Sequence, residues 1–544
     1  MGLIWVLELG IWNLEFEFLG MNIQHTIAKA AGIVGSATLL SRIFGFVRDM
    51  IVAQLFGAGA ATDAFFVAFR IPNLFRRLVG EGSLTVSFIP VYSEYLGKKP
   101  QRECEGLLHA SFTVLAFSLI LLTLLGIFFS PWIVKAMAYG FAQDPEKFRL
   151  TVLLNRVMFP YILFVGLVAW AMGVLNTLKH FTGPALAPVL LNLSIIACAL
   201  GLYGFLAEPV LSLAIGVLLG GVAQFLFQIP FLRRKGISLR LRFDLSHPGV
   251  KRIGALMAPS ILGLAVTQLN VIINTFLASY LPEGSVSFLY YADRLLEFPM
   301  GIFAIAIATA VLPPLSEQAA QGKLGEVKET LSFALRLTFF AILPAMAALI
   351  ALRAPVLNVL FQRGAFTAFS TEMTSQALLY YALGLVAFAG VRIIVPVFYS
   401  LQDTRTPVKV AFLSLIANAG LGVLLMLPLK HGGLALATSL AAGLNFSLLA
   451  VLLRRKLGPL GAGRILRSFG KHLTASLLMG LSAYLITRAG DWKSSGLTWE
   501  KLVLLAASLG AGLGVYGTAC YLLRSEEVRA AVGLARKKLG KGRK

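Results

Sequence analysis

Charge is scarce in this chain: only 13% of its 544 residues are charged, against 58% that are hydrophobic, and the mean hydropathy is +0.81. A soluble globular domain carries about 25% charged residues. The scarcity excludes one of this length and leaves a polytopic membrane protein. Cysteine is scarcer still, because Cys104, Cys198 and Cys520 stand far apart with no CxxC spacing. Neither a disulfide framework nor a cysteine metal site is expected. The six histidines are equally scattered, and no metal is expected at them. Acidic residues are in deficit, 25 against 48 Lys and Arg, for a net charge of +23. Such an excess can mark a nucleic-acid binder, but here the basic residues sit in short loops between apolar runs, where the positive-inside rule accounts for them. No nucleic-acid partner is expected. The chain also lacks a Walker loop, HExxH, GxSxG and any DxD-type cluster in a loop large enough for an active site. It is not expected to be an enzyme or to carry a cofactor.

What the chain has in quantity is apolar runs long enough to cross a hydrocarbon core of roughly 30 Å as helix. About fourteen are expected, near 27–56, 64–96, 107–139, 150–178, 184–204, 209–232, 252–281, 286–316, 331–352, 376–401, 407–427, 432–453, 471–488 and 499–523. The expected class is an all-α polytopic membrane protein. With fourteen spans, about 29 Lys and Arg fall on the inner side and about 8 on the outer. Both termini are then cytoplasmic. The opening "MGLIWVLELGIWNLEFEFLG" holds acidic residues and no basic one, so it matches no signal peptide. Met21 follows at once and is the expected natural start, with residues 1–20 an upstream extension.

The chain matches itself twice at one offset. "IPVYSE" (89–94) resembles "LPPLSE" (312–317), and "TLKHFTGP" (177–184) resembles "SLQDTRTP" (400–407), so Glu94 pairs with Glu317 and Pro184 with Pro407, both 223 apart. Both copies of each motif sit at an inner helix end, which implies two six-helix lobes in parallel repeat, a plan used by transporters that rock about a midplane site. The expected division is an N-lobe at 21–236, a basic cytoplasmic linker at 237–251 and a C-lobe at 252–456. Two extra helices at 457–523 and a basic cytoplasmic tail at 524–544 follow. The tail reads equally as a helix on anionic headgroups or as a solvated end.

The charges that remain inside apolar runs are the functional signal. "SRIFGFVRDMIVAQLFGAGAATDAFFVAFRIPNLFRRLVGEG" (41–82) holds Arg42, Arg48, Asp49, Asp63, Arg70, Arg76, Arg77 and Glu81. One charge at the bilayer centre costs about 2.5–3.5 kcal/mol, so several facing lipid would cost on the order of 10 kcal/mol. They must face protein or water, or snorkel to an interface. Arg70 and Arg77 flank Pro72, and for them the sequence leaves both readings open. In "YYADRLLEFP" (290–299), Asp293, Arg294 and Glu297 either neutralise one another along the helix or turn Arg294 toward a cavity. A water-filled cavity ringed by Arg42, Arg48, Arg76 and Arg294, supported by Asp49, Asp63, Glu81, Asp293 and Glu297, would be an anion site. Guanidinium forks fit phosphate and stay charged at any physiological pH.

"SRIFGFVRD", "GAGAATDAFFVAFRIPNLFRRLVGEG", "YYADRLLEFPMGIFAIAIATAVLP" and "SLQDTRTPVKVA" together resemble the MurJ (MviN) family of bacterial lipid II flippases. That family lies within the multidrug/oligosaccharidyl-lipid/polysaccharide exporter superfamily. The resemblance runs from about Met21 to the C-terminus. It implies a fourteen-helix protein of the bacterial inner membrane whose last two helices line a groove for the undecaprenyl tail. It also implies the substrate, lipid II, moved from the cytoplasmic to the periplasmic leaflet for peptidoglycan synthesis by a monomer whose other partners are membrane lipids. The family's functional arginines match Arg42, Arg48, Arg76 and Arg294, and its acidic positions match Asp63 and Glu297. Some members carry a sodium site with an acidic residue on the seventh helix. This chain has only Gln268 and Asn270 there, so Asp403 is the candidate for ion coupling, and membrane potential, Na+ or H+ the candidate drives. The alternatives are a flippase for another undecaprenyl-linked oligosaccharide or a drug exporter of the same superfamily. A cation exporter, however, would set carboxylates at its core.

Overall fold

The computed structural model describes residues 21–528, without the side chains of 21–31, 33, 79–82, 262, 263 and 265–267. The proposed start at Met21 and most of the basic tail therefore bear on residues outside the described ones, as does the side chain of Glu81.

Among the described residues the chain forms twenty α-helices. The first half holds α1 (Met21–Phe56), α2 (Ala60–Phe75), α3 (Leu84–Lys98), α4 (Gln101–Phe128), α5 (Ser130–Met137), α6 (Pro145–Met158), α7 (Tyr161–Thr177), α8 (Thr182–Leu202) and α9 (Leu211–Arg234). After the linker come α10 (Pro248–Ala278), α11 (Ser285–Pro299), α12 (Ile305–Ala320), α13 (Leu324–Ala351), α14 (Arg353–Phe361), α15 (Ala368–Leu383) and α16 (Leu385–Ser400). The chain closes with α17 (Arg405–Leu429), α18 (His431–Leu457), α19 (Ala462–Thr487) and α20 (Trp499–Leu522).

Nine helical stretches among the described residues are long and apolar enough to cross a membrane, ten if α15 and α16, bent by 42° at their junction, count as one span. The expected fourteen is reached if α1, the run from α2 through α3, α10 and α19 cross as well. Apolar length alone does not establish that number. The run from α2 through α3 carries Arg70, Arg76 and Arg77, and these charges lower its hydropathy. Several expected spans are also broken where the sequence dictates. α6 stops before Pro160, whose missing N–H and ring cannot continue the helix ladder. α4 ends at Phe128, and a separate short helix follows it.

The repeat is visible in local geometry. α7 ends in a turn with Lys179 at φ 56°, and α16 in a turn with Gln402 at φ 59°, again 223 residues apart. In both, a later N–H bonds back over five residues, His180 to the Leu175 carbonyl at 2.8 Å and Asp403 to the Phe398 carbonyl at 2.9 Å. A second correspondence is a π-helical segment after a proline, at Arg76–Ser83 behind Pro72 and at Met300–Ala304 behind Pro299. Shifted by 223, the first segment encloses the second.

Compactness groups the chain into two units. The first takes α1 up to Asp49, Phe69–Ser130 and Leu154–Ala265. Its core gathers Phe88, Tyr92, Leu107, Trp170 and Leu232, and the buried Trp170 indole donates to Ser111 Oγ at 3.0 Å. The second takes Met50–Ala68, Pro131–Leu153 and the described chain from Val266 onward. Its core lies among Val327, Leu331, Phe339, Val397 and Leu453, with a smaller cluster of Met479, Tyr516 and Cys520 joining the last two helices. All three cysteines are buried and free, in keeping with packing roles. Many large apolar side chains point outward, Leu124, Phe128, Leu424 and Leu477 among them, as lipid contact requires.

A non-glycine residue at positive φ is strained by roughly 1–2 kcal/mol, which glycine avoids. Lys179→Gly and Gln402→Gly should each raise the thermal unfolding midpoint in detergent, whereas Lys179→Val and Gln402→Val should lower it.

Candidate functional site

Arg48 is aimed by its neighbours. Its Nε and Nη2 donate to Asp49 Oδ1 at 3.0 and 2.6 Å, and its Nη1 donates to Asn192 Oδ1 of α8 at 3.0 Å. Asn192 Nδ2 in turn donates to the Ser41 carbonyl at 3.1 Å, so α8 holds α1 at two levels. The Arg48 side chain is 12% exposed and that of Asp49 2%. Three directed contacts in so dry a setting fix the guanidinium plane, and the planar fork loses little entropy in being held. Arg42, on the same helix, is exposed. Arg76 opens the first π segment, half-buried, with Nε donating to Asn73 Oδ1 at 2.8 Å. Short π segments are frequent at functional sites because they re-aim one side chain without ending the helix. Arg70 is half-buried and Arg77 exposed.

Arg42, Arg48 and Arg76 lie in the first unit, and Arg294 in the second. Arg294 Nη1 donates to Glu297 Oε2 at 2.9 Å, one of the two arrangements the sequence leaves open. Glu297 is 53% exposed and Arg294 28%, so the pair is worth at most about 1 kcal/mol. It restrains the guanidinium without sequestering it. Asp293 is exposed.

Asp63 has a separate setting, inside the second unit. It is 1% exposed, and Lys147 Nζ, itself buried, lies 2.9 Å from its Oδ2. The Gly284 N–H donates to the same oxygen at 2.8 Å, and the Ser287 N–H and Oγ–H donate to Oδ1 at 2.9 and 2.7 Å. Asp63 thus sits on the N-terminus of α11, where unpaired N–H groups and the helix dipole favour an anion. Gly284 is required there: its φ is +86°, and a Cβ would meet the Ala58 carbonyl oxygen at 2.8 Å. Lys147 also lies over the Phe141 ring at 4.1 Å. Surrounding bonds complete the knot, from the Ala60 N–H to Glu283 Oε1 at 2.7 Å, from the Gly140 N–H to Ser279 Oγ at 3.0 Å and from the Ala365 N–H to the Gln54 carbonyl at 2.8 Å. Phe66 stacks on Tyr290 with centroids 3.8 Å apart.

Lys147 and Ser287 were not legible as site residues, because "DPEKFR" reads as a polar loop and "GSVS" as a helix start. Arg392 had a legible signal, a lone arginine within the apolar α16, where it is exposed, yet it is not among the residues expected from sequence.

Asp403 lies just before α17. Its Oδ1 accepts from the Thr406 N–H at 3.0 Å, and its Oδ2 from Thr406 Oγ1 at 2.8 Å and Lys456 Nζ at 2.9 Å. The Thr406 backbone donor, followed by Lys456, lowers its pKa to about 2, so it stays ionised through the neutral range. On the seventh expected span, Asn270 and Asn274 accept from Asn418 Nδ2 at 3.0 and 2.8 Å, and Asn274 donates to Thr438 Oγ1 at 3.3 Å. These four side chains are neutral and α10, α17 and α18 contain no carboxylate, so nothing in this cluster balances a bound cation.

Residues 52–499 match the family described as "Lipid II flippase MurJ". A "Probable lipid II flippase MurJ" of Vibrio cholerae serotype O1 is 37% identical over 525 residues, covering 94% of this chain and 99% of that protein. A "Lipid II flippase MurJ" of Burkholderia cenocepacia is 39% identical over 494 residues, covering 90% and 95%. Among solved structures, "Lipid II flippase MurJ, inward closed conformation" superposes with a TM-score of 0.76 at 27% identity, covering 92% of this chain and 99% of that one. An inward-facing multidrug transporter of the MATE family in the MOP superfamily superposes at 0.62 with 18% identity, a likeness of fold.

Two outcomes follow from the buried and capping carboxylates. Asp63→Ala leaves Lys147 buried without its partner and should cost about 3–5 kcal/mol. Lys147→Met should cost less, and in a double-mutant cycle of unfolding in detergent the two should be strongly non-additive. Asp403→Ala should lose a helix cap worth about 1 kcal/mol. Asp403→Asn should keep most of that and leave the pH profile of transport near neutrality unchanged.

Proposed function

The chain belongs to the lipid II flippase MurJ family, and from that premise we propose that it carries lipid II from the cytoplasmic to the periplasmic leaflet of the bacterial inner membrane by alternating access. The two six-helix repeats, 21–236 and 252–456, are the bodies that move, and Arg42, Arg48, Arg76 and Arg294 bind the pyrophosphate headgroup in a cationic cavity. The observation that carries this reading is the Arg48 constellation: a guanidinium within a membrane helix, held in plane by Asp49 and Asn192. Burying a guanidinium is costly, and a charge merely tolerated would snorkel away. One held in place is positioned for an anion.

The headgroup's charge also supplies direction. Moving one net charge through 100 mV is worth about 2.3 kcal/mol, so an anion leaving a negative interior is helped, and so is the return of an unliganded cationic cavity. The Asp63 knot is the counterpart of this motion. It ties Gln54–Asp63 and Gly140–Lys147, from the first repeat, to Ser279–Ser287 and Ala365, from the second. On the expected topology these are outer helix ends, and release of the headgroup outward requires the knot to open. Its bonds are strong singly but few, which suits a latch. The undecaprenyl tail stays in the lipid, alongside α19 and α20.

The test is to replace Arg42, Arg48, Arg76 and Arg294 singly by Ala and by Lys in cells depleted of their own lipid II flippase, following growth and arrival of lipid II at the outer leaflet. The wild type should complement, each Ala variant should fail at normal expression, and Lys should rescue Arg42 more readily than Arg48, whose role depends on the fork. Normal transport by all Ala variants would make the arginines structural. Failure of the wild type would move the substrate to another undecaprenyl-linked saccharide.

A further inference from the structure

Between α9 and α10 the chain has no regular secondary structure over residues 237–244, yet "ISLRLRFDL" (237–245) alternates apolar and polar residues with the period of an extended strand. Ile237 and Leu239 pack against the core around Trp170 and Leu232. The next three apolar residues do not share that burial: Leu241 is 80% exposed, Phe243 60% and Leu245 57%. Three large apolar side chains in succession along one edge form a patch, and an exposed patch of this kind marks an interaction surface.

The stretch is fastened to α4. His109 Nε2 lies 3.0 Å from the Ser238 carbonyl oxygen, the Arg242 N–H donates to Thr113 Oγ1 at 2.8 Å, and the Phe243 ring meets Phe117 edge-on with centroids 5.5 Å apart. From Ala110 to Phe128 α4 carries no charged residue, and Phe117, Leu121, Leu124 and Phe128 are all exposed along it. Phe117 lies about 10 Å along that uncharged run at 1.5 Å per residue. Phe243 therefore extends a surface that already faces lipid. Basic residues accompany it: Arg233, Arg234, Lys235, Arg240 and Arg242 are exposed, against the single acid Asp244, which lies 3.5 Å from Arg242.

We propose that residues 237–245 are an interfacial anchor on an anionic leaflet, with Leu241, Phe243 and Leu245 among the outer acyl segments and the flanking arginines at the depth of the phosphates. Lipid is the occupant that fits, since the patch is continuous with the lipid-facing side of α4 and its sign complements acidic headgroups. An irregular backbone is tolerated there because it stays near the interface, and because the Arg242 N–H, which would be costly to leave unpaired, is taken by Thr113. The segment joining the two repeats is thereby held at the membrane surface instead of hanging in water.

Leu241→Cys, Phe243→Cys, Leu245→Cys and Ser246→Cys, made one at a time, can be labelled with a nitroxide without removing the native cysteines, which are buried. In vesicles of equal phosphatidylethanolamine and phosphatidylglycerol, labels at 241, 243 and 245 should collide several-fold less with a water-soluble nickel chelate, and several-fold more with oxygen, than the label at 246. In phosphatidylcholine alone they should sit shallower, and Arg240→Glu with Arg242→Glu should abolish that difference. Chelate collisions at 243 and 245 equal to those at 246 would overturn the anchor. So would shielding that arises only on adding other membrane proteins, which would make the patch a protein interface. Equal depth in the two vesicle types would overturn the role of the arginines. Should Phe243→Cys misfold, Leu241→Cys and Leu245→Cys carry the same test.

Discussion

A guanidinium in a membrane must be held by something other than lipid, and the arrangement of this chain follows from that constraint. Arg48 meets it with a buried carboxylate next in sequence and an amide from α8, and the contact recruits α8 against α1. Arg294 meets it with a partner one turn away and remains 28% exposed. The two solutions differ in what they leave available. The first fixes direction, and the second leaves the charge partly exposed. A closely paired cation is oriented but largely neutralised, and a fully free one is neither oriented nor stable at that depth, so the two settings are complementary.

Asp63 shows a third use of charge. Its partners include Lys147 and two backbone N–H groups at a helix start, so its energy depends closely on geometry. A buried ion pair is weak evidence for stability in itself, since desolvation offsets most of the attraction. Its sharper property is that it is intolerant of partial separation. A knot of this kind loses its energy with separation more steeply than apolar packing does.

Much of this was legible in the sequence. Composition gave the class, apolar length gave the helical runs, and the self-match at 223 residues marked turns that prove alike in backbone geometry at Lys179 and Gln402. The arginines stood out because a cation in an apolar run must face protein or water or snorkel to an interface. What could not be read were contacts set by distance in space: Asn192 as the second hand on Arg48, Lys147 beneath Asp63, Ser287 above it. None of these has an unusual local context, and each acquires meaning only from a partner 84 to 224 residues away. The helix breaks behind Pro160 and at Phe128 were missed for another reason, since hydropathy averages over a window and is blind to a missing N–H.

The two π segments bear on the history of the molecule. A π turn holds one residue more than the α turn it replaces, so a single-residue insertion into a helix produces one. Arg76–Ser83 and Met300–Ala304 overlap when the chain is shifted by 223 residues. An insertion made before a doubling would leave one π segment in each copy, whereas insertion afterwards requires the same event twice in the same place.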